Sequence, residues 1–570
     1  MRDDSETVGG RGTPFSGDSL VALLEHRAAV QPADTAYTFL RDGDIPAAML
    51  TWAELDRASR MVCGWLRART LPGDRALLLY QPGLEFIAAF FGCLYAGVLA
   101  VPTVPPRGGR TRQGADRLAS IAADALPRCT LATQRVIDQL TRDASDGLID
   151  PTQLGACVAT DALPPGLSAP PRDGIGRGTL AFLQYTSGST ANPRGVMVSH
   201  GNLLHNLTAA FHLGDGGPDS VSVSWLPVTH DMGLIDGVLQ PAFSGCPAYL
   251  MSPGAFLQRP VHWLRALSTY RATRSGGPNF AYDLAVTRVT PAEREGLDLS
   301  AWRAAYNGAE PVRHDTMRAF ATAYRPAGFK AEAFRPCYGL AEATLLVTTG
   351  RWSLEKSEAD PVSCGAPAFA TGIRIVDPVS RALCRDAEPG EIQVSGDSVA
   401  HGYWNRPEDS ARTFGSTTRD AWLRTGDLGF LYDGELHVTG RIKDLLIVRG
   451  AKHFPQDLER TAMGCHPAVR PGGVAAVAVG SGVRGDRIAL IAEVDPHQFD
   501  QGALVMARLR QAIAETHGIQ LEGIALLAPG GVPKTTSGKL RRFLCRHAWI
   551  GGTLDPLASW NATAPSAVEV

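Results

Sequence analysis

The chain has 570 residues, 44% of them hydrophobic and 20% charged, with a formal net charge of -2. That length is too great for one hydrophobic core and calls for about three to four domains or subdomains. The near-neutral charge gives no general attraction to nucleic acid or to an anionic membrane surface, and the ten cysteines form no C-x-x-C pair that would indicate a zinc or disulfide framework. The polar start, Met1-Arg-Asp-Asp-Ser-Glu6, lacks the apolar stretch of a secretory signal. The most apolar run, Phe86 to Val101, is too short to span a bilayer and contains Gly92 and Gly97. A cytoplasmic protein with no nucleic-acid partner and no membrane insertion is expected.

Residues 1–15 are rich in Gly, Asp and Ser and are predicted to be disordered. A helical pattern opens with Leu20, Leu23 and Leu24, capped by Asp18 or Ser19. Arg75 to Tyr80 reads as a buried strand, Pro82 to Ala96 as the helix after it, and Val98 to Val101 as the next strand. Strand–helix–strand with continuous apolar strands indicates a parallel sheet covered on both faces. Similar alternation recurs to about residue 350. Around 362–440 it gives way to short strands and turns, among them Gly372 to Val376, Glu391 to Val394 and Leu436 to Val438. A compact α+β unit follows Arg441, and the Ala/Ser/Pro-rich tail, 551–570, reads as flexible.

The most informative segment is Tyr185-Thr-Ser-Gly-Ser-Thr-Ala-Asn-Pro-Arg-Gly195. It joins two apolar strands, and its glycines and hydroxyls could bring N–H and O–H donors to a polyphosphate. It is not the G-x-x-x-x-G-K-[ST] loop, because no Lys follows the second Gly. A Gly/Ser linker is the blander alternative.

Other segments are weaker alone. In Tyr338-Gly-Leu-Ala-Glu342, Glu342 reads either as a hard-cation ligand near phosphates or as a first-turn helix charge. Asp427, after the turn in Trp422-Leu-Arg-Thr-Gly-Asp427, can accept both hydroxyls of a ribose or close an Asx turn. Gly440-Arg-Ile-Lys-Asp-Leu-Leu-Ile-Val-Arg-Gly450 is a hinge or an interdomain linker. Only six of the 55 basic residues are Lys, and two of these, Lys534 and Lys539, share the loop Pro533-Lys-Thr-Thr-Ser-Gly-Lys539. That loop is a mobile source of positive charge for a leaving phosphate or a solvated basic turn. His230 beside Asp231 is structural or faces a cleft.

In this order, the segments resemble the adenylate-forming enzymes: acyl-CoA synthetases, luciferases and nonribosomal-peptide adenylation domains. The resemblance covers about residues 30 to 545. Leu77 to Gly83, Trp225 to Leu234, Ser275 to Asp283, Asn307 to Pro311 and Tyr338 to Leu345 look most like the fatty acyl-AMP ligases.

The resemblance implies an α/β fold: a large N-terminal domain over 16–442 with two α/β subdomains and a small β subdomain, and a mobile α+β C-terminal domain over 443–550. It implies attack of a carboxylate on the α-phosphate of ATP with Mg2+, giving acyl-AMP and pyrophosphate. Thr186, Ser187, Gly188, Ser189 and Thr190 match the phosphate loop, with Arg194 beyond it. Asn307, Gly308, Ala309, Glu310, Pro311, Tyr338 and Gly339 match the adenine walls. Glu342 matches the Mg2+ ligand, and Asp427 and Arg441 the ribose contacts. Lys539 matches the lysine that bridges the carboxylate and the α-phosphate. His230 would lie near the substrate carboxylate. Met232 to Ile235 and Ser275 to Tyr282, including Gly277, Pro278 and Asn279, would line the acyl pocket. Lys443 or Asp444 would be the pivot.

Three positions depart from the family pattern: Arg194 for a usual Lys, Ala191 for a usual Gly, and Asp236 for a usual Gly. A carboxylate in an apolar acyl tunnel is costly, so a different pocket is expected. The long insertion of fatty acyl-AMP ligases is cut to the 17 residues from Leu346 to Val362. The leading expectation is an acyl-AMP ligase that passes its acyl group to the phosphopantetheine of an acyl carrier protein. Its rivals are an acyl-CoA ligase using coenzyme A, an adenylate-former completed by a separate protein, and a non-catalytic nucleotide-binding protein.

Overall fold

The computed structural model describes residues 14–106, 112–186, 193–214, 216–217, 219–354, 361–415, 421–482, 485–496, 502–534 and 540–562. Contacts divide these into two compact units. One takes residues 14–186, 193–425 and 430–437, and the other 426–429 and 438–562.

In the larger unit the first helix, Leu20–Val30, starts where expected: the Ser19 side chain accepts the Ala22 N–H at 3.1 Å. A six-stranded sheet has the order Ala156–Ala159, Cys129–Ala132, Arg75–Leu79, Leu99–Thr103, Leu180–Thr186, Arg194–Ser199. Arg75–Leu79 pairs in parallel with both its neighbours, which is why it reads as an unbroken apolar run. The helix Glu85–Ala96 is buried along nearly its whole length and stops at Gly97, whose φ of 64° favours a residue without Cβ. The last two strands form an antiparallel hairpin that ends in the pair Thr186↔Arg194. Thr186 and Arg194, the described ends of the segment expected to cradle phosphate, are thus paired across the hairpin.

A nine-stranded sheet has the order Ala366–Pro367, Leu346–Thr349, Phe334–Gly339, Ala304–Asn307, Arg274–Gly277, Ser222–Ser224, Ala248–Met251, Thr35–Arg41, Ile45–Thr51. Its central strands are parallel and in register, with Gly277 opposite Asn307 and Asn307 opposite Pro336. Their carboxyl ends deliver three of the expected site segments to one end of the sheet, where α/β folds bind ligands. On one side the sheet rests on buried aromatic residues; Trp263 Nε1 donates to Ser275 Oγ at 2.9 Å and stacks edge-on with Trp302 at 5.3 Å. The expected short-strand region is a four-stranded sheet of order Gly372–Val376, Gly390–Ser395, Leu423–Tyr432, Glu435–Arg441.

The smaller unit pairs Val469–Gly482 with Gly485–Val494 and packs the helices Pro455–Gly464 and Gly502–His517 around a core that includes Leu458, Val474, Leu490, Leu509 and Leu526. Of the tail expected to be flexible over 551–570, residues 563–570 lie outside the described residues, and part of the rest is ordered. Ala558–Asn561 is an edge strand, antiparallel to Gly523–Leu527. Trp560 packs against the core and lies under the Arg510 guanidinium, 4.0 Å from the ring centre. Among the described residues, no helix is long and apolar enough to cross a membrane.

Candidate active site

The turn after Asn307 is built by close approach. A Cβ on Gly308 would lie 2.6 Å from Cys337 Sγ, and Ala309 takes a φ of 69°. Asn279 ties this turn to the neighbouring strand end. Its amide donates to the Pro311 carbonyl at 2.8 Å, and its oxygen accepts the Asn307 amide and the Arg313 N–H, both at 3.0 Å. The Glu310 carboxylate accepts the Phe280 N–H at 3.3 Å, and burial pushes its pKa up against the pull of Arg313. The structure therefore unites two segments that the sequence reading kept apart, one for adenine and one for the acyl chain. Asn279 is buried and uses its side chain to brace the Asn307–Pro311 turn. Tyr282 is buried among Trp302, Phe320 and Phe334, and its hydroxyl donates to the Tyr306 carbonyl at 2.8 Å. Gly277, before Pro278, faces Trp225, whose ring would sit 2.7 Å from an added Cβ.

His230 closes a turn onto the Pro227 carbonyl, and its Nδ1 sits against the Asp231 carboxylate, itself bonded to the Met232 N–H at 2.7 Å. Met232–Leu239 is wound as a wide π-helix. Met232 and Ile235 are buried along it, and Asp236 points to Arg274, with which it forms a buried ion pair. The cost of a carboxylate in this wall is offset because Arg274 supplies the countercharge. Burial and this carboxylate push the neighbouring Tyr306 phenol well above its ordinary 10.

Tyr338 and Gly339 end the next strand, and the chain folds back so tightly that a Cβ on Gly339 would lie 1.8 Å from the Leu345 carbonyl oxygen. Glu342 lies in a 3-10 turn, Ala341–Ala343, and does not open a helix. Thr344 has φ 67° and ψ -64°, and the Leu345 N–H donates to the Ala343 carbonyl at 2.8 Å, a strained γ-turn. The Thr344 hydroxyl anchors it on the Ser398 carbonyl at 2.6 Å. Glu342 Oε1 accepts the Tyr403 hydroxyl at 2.7 Å, and burial first, then this carboxylate, hold the Tyr403 phenol far above 10. Arg194, on the hairpin, places its guanidinium 5.1 Å from the Tyr403 ring centre and its Nε 3.9 Å from Asp409. The other hairpin strand ends at Thr186; before it, the Tyr185 hydroxyl donates to Asp124, which also holds Arg406 at 3.1 Å. Ser187, Gly188, Ser189 and Thr190 lie outside the described residues.

In the smaller unit, Arg441 Nε lies 2.8 Å from the buried Asp427 carboxylate. The 3-10 turn Ile442–Asp444 carries both expected pivot residues, Lys443 and Asp444. Asp444 accepts Arg542 Nη1 at 3.2 Å, and Arg542 is also held by both oxygens of Glu459 at 2.7 Å. Lys539 lies outside the described residues.

A model of the AMP-binding enzyme family matches residues 24–404. The chain belongs to that family. Residues 443–559 match a second model, the AMP domain of Disco-interacting protein 2-like proteins. The medium-chain-fatty-acid–[acyl-carrier-protein] ligase JamA of Moorena producens is 41% identical over 95% of this chain and 96% of its own. The long-chain-fatty-acid–AMP ligase FadD26 of Mycobacterium marinum is 37% identical over 93% and 97%. A fatty acyl-adenylate ligase from L. pneumophila, solved with acyl adenylate and pyrophosphate, superposes with a TM-score of 0.70 at 38% identity, over 95% of this chain and 98% of that one.

Sequence reasoning missed several residues of this AMP-binding enzyme. Tyr403 meets the expected site residue Glu342, while Arg274 meets Asp236 and Asp124 meets Tyr185, each next to an expected site residue, from a distant part of the chain. Tyr403 follows a Gly in Gly402-Tyr-Trp404, a weak signal that gained meaning only when it met Glu342.

Proposed function

We propose that this enzyme activates a fatty or fatty-acid-like carboxylic acid with ATP and passes the acyl group to the phosphopantetheine thiol of a carrier protein, in the cytoplasm. The observation that carries the reading is the meeting of the Gly308–Pro311 turn and the Tyr338–Glu342 segment at the carboxyl ends of neighbouring strands. Such a shelf suits adenine on one side and phosphates on the other. The activities of the two relatives above, a fatty-acid–[acyl-carrier-protein] ligase and a fatty-acid–AMP ligase, support the acid and the acceptor.

Among the described residues, no three His, Cys, Asp or Glu side chains converge as a self-contained metal site. A single oxygen ligand, Glu342, suits Mg2+, which takes most of its coordination from phosphates and water. Glu342 would hold the ion, and the ion would supply charge neutralisation on the triphosphate. Arg194 and the donors from Thr186 to Thr190 would grip phosphate oxygens, and Asp427 with Arg441 would take the ribose. His230 would orient the acid for attack on the α-phosphate. Lys539 would bridge that acid and the α-phosphate as pyrophosphate leaves. Positioning and charge neutralisation are what this reaction needs, so no covalent enzyme intermediate is required. The mixed anhydride is water-labile, and movement of the C-terminal domain about Lys443 and Asp444 would shelter it and later admit the thiol.

The short segment from Leu346 to Val362 favours a second reading, with coenzyme A as acceptor. A panel of acids scored for pyrophosphate release, with coenzyme A or a phosphopantetheinylated carrier protein, tests both. Acyl-AMP that persists with coenzyme A and disappears with carrier protein supports the first reading. Consumption by coenzyme A supports the second. ATP binding without acid-dependent pyrophosphate release would overturn both.

A further inference from the structure

Tyr403 stands between two of the expected ligands of the nucleotide. Glu342 lies in a 3-10 turn beyond a strand of the nine-stranded sheet, and Arg194 opens the last strand of the six-stranded sheet. Tyr403 meets both. Its hydroxyl donates to Glu342 Oε1 at 2.7 Å, and the Arg194 guanidinium lies 5.1 Å from its ring centre.

The chain around Tyr403 is held firmly. The Gly402 carbonyl accepts the Met197 N–H at 2.9 Å, the Met197 carbonyl accepts the His401 N–H at 3.0 Å, and the Gly195 carbonyl accepts the Trp404 N–H at 2.8 Å. Tyr403 thus pairs with the strand that carries Arg194, directly opposite Val196. Its own N–H donates to Ser410 Oγ at 2.8 Å. Ala400 N–H donates to the Glu342 carbonyl at 2.9 Å, so the same segment also grips the Glu342 backbone. The ring is buried and packs edge-on against Phe414 at 5.2 Å.

A carboxylate that binds a cation with one oxygen can rotate, and a bond to its other lone pairs fixes its aim. A guanidinium is planar and stacks on an aromatic face, which an ammonium cannot do in the same way. We propose that Tyr403 is a positioning residue for adenylation: its hydroxyl sets the Glu342 carboxylate and its ring sets the Arg194 guanidinium. One side chain then fixes the spacing between the cation ligand and a phosphate ligand. The proposal rests on the reading of Glu342 and Arg194 given above. It also gives Arg, rather than Lys, a physical role at position 194.

The test uses the full chain and two probes, Mn2+ followed by the loss of its free-ion electron paramagnetic resonance signal, and α,β-methylene ATP. In Tyr403→Phe, Mn2+ affinity with the analogue bound should fall about 10-fold or more, the scale of a ligand's supporting hydrogen bond. The analogue's affinity without metal should stay within about 2-fold, because the ring remains. In Tyr403→Leu and in Arg194→Lys, the metal-free affinity should fall as well. Phe keeps the buried ring, and an unchanged melting midpoint checks that the fold is intact. Glu342→Gln separates the two levels. Lower Mn2+ affinity in Glu342→Gln with an unchanged value in Tyr403→Phe would overturn the positioning role alone. Unchanged Mn2+ affinity in Glu342→Gln would overturn the assignment of Glu342, and the proposal with it.

Discussion

Arg274 and Asp236 form an ion pair inside the larger unit, between the strand that leads to Gly277 and the π-helix that carries Met232 and Ile235. Both residues are buried; burial pulls the Arg274 pKa down, but the Asp236 carboxylate, the Tyr306 phenol and the Cys246 thiol together raise it. Removing one partner leaves the other charge buried and unpaired, which costs about 3–5 kcal/mol. Asp236→Leu should therefore lower the stability of the larger unit by about that amount in urea unfolding. The double variant Asp236→Leu/Arg274→Met should recover most of it, because a well-packed apolar pair of similar volume replaces the ions at little net cost. A single variant as stable as the wild type would show that the pair carries no such weight.

Asp427 is buried while its partner Arg441 is about half exposed, at 54% for the side chain. An ion pair with one solvated member adds little to folding. Asp427→Ala should hardly move the melting midpoint. If the carboxylate takes the ribose hydroxyls, the same variant should weaken AMP binding by about 1.5–3 kcal/mol, roughly 10- to 150-fold, in calorimetric titration. Unchanged AMP affinity would remove Asp427 from the nucleotide site.

His200 opens the helix after the Leu180–Ser199 hairpin, and its Nδ1 accepts the Leu20 N–H at 3.1 Å. Accepting there requires the neutral ring. Burial lowers the pKa from 6.5 to about 4. The unfolded chain takes up a proton as pH falls through 6.5, and the folded chain does so only near 4. This contribution is complete above 6.5 and is lost as pH falls from 6.5 towards 4. At pH 5 the loss is about 2 kcal/mol. His200→Gln keeps an acceptor and cannot be protonated there. Between pH 7.5 and 5 its urea unfolding should weaken less than that of the wild type, by about that margin. Equal slopes for both proteins would show that His200 is not the group responsible.

What the sequence disclosed follows from how local the cause is. Ser19 as a cap, Arg75–Leu79 as a buried strand and the two apolar strands on either side of residues 187–192 depend on neighbours in the chain, and all could be read. Asp236 was visible as an anomaly, but Arg274 lies on another element, so its countercharge was not. Tyr403 was passed over because nothing local links it to Glu342. Composition misled at Ala558–Asn561, where Ala and Ser suggested a loose tail while Trp560 anchors an edge strand. Asn279 and Tyr282 sit in a segment whose pocket role came from resemblance, and their side-chain bonds to the Pro311 and Tyr306 carbonyls join residues too far apart in the chain to be read locally.

Lys539 follows Thr535-Thr-Ser-Gly538 in the sequence. Charge develops on the α-phosphate and the departing pyrophosphate only as the bond breaks. An ammonium brought to that point stabilises the transition state more than bound ATP. Lys539→Ala should then lower acid-dependent pyrophosphate release by about 10²–10³-fold, the scale of one electrostatic stabiliser, with ATP binding largely intact. Lys534 offers the internal control: its ammonium lies 3.5 Å from Glu493, a structural pairing within the smaller unit. Lys534→Ala should cost far less turnover than Lys539→Ala. Near-normal pyrophosphate release from Lys539→Ala, or a comparable loss from Lys534→Ala, would sink the assignment of the bridging role to Lys539.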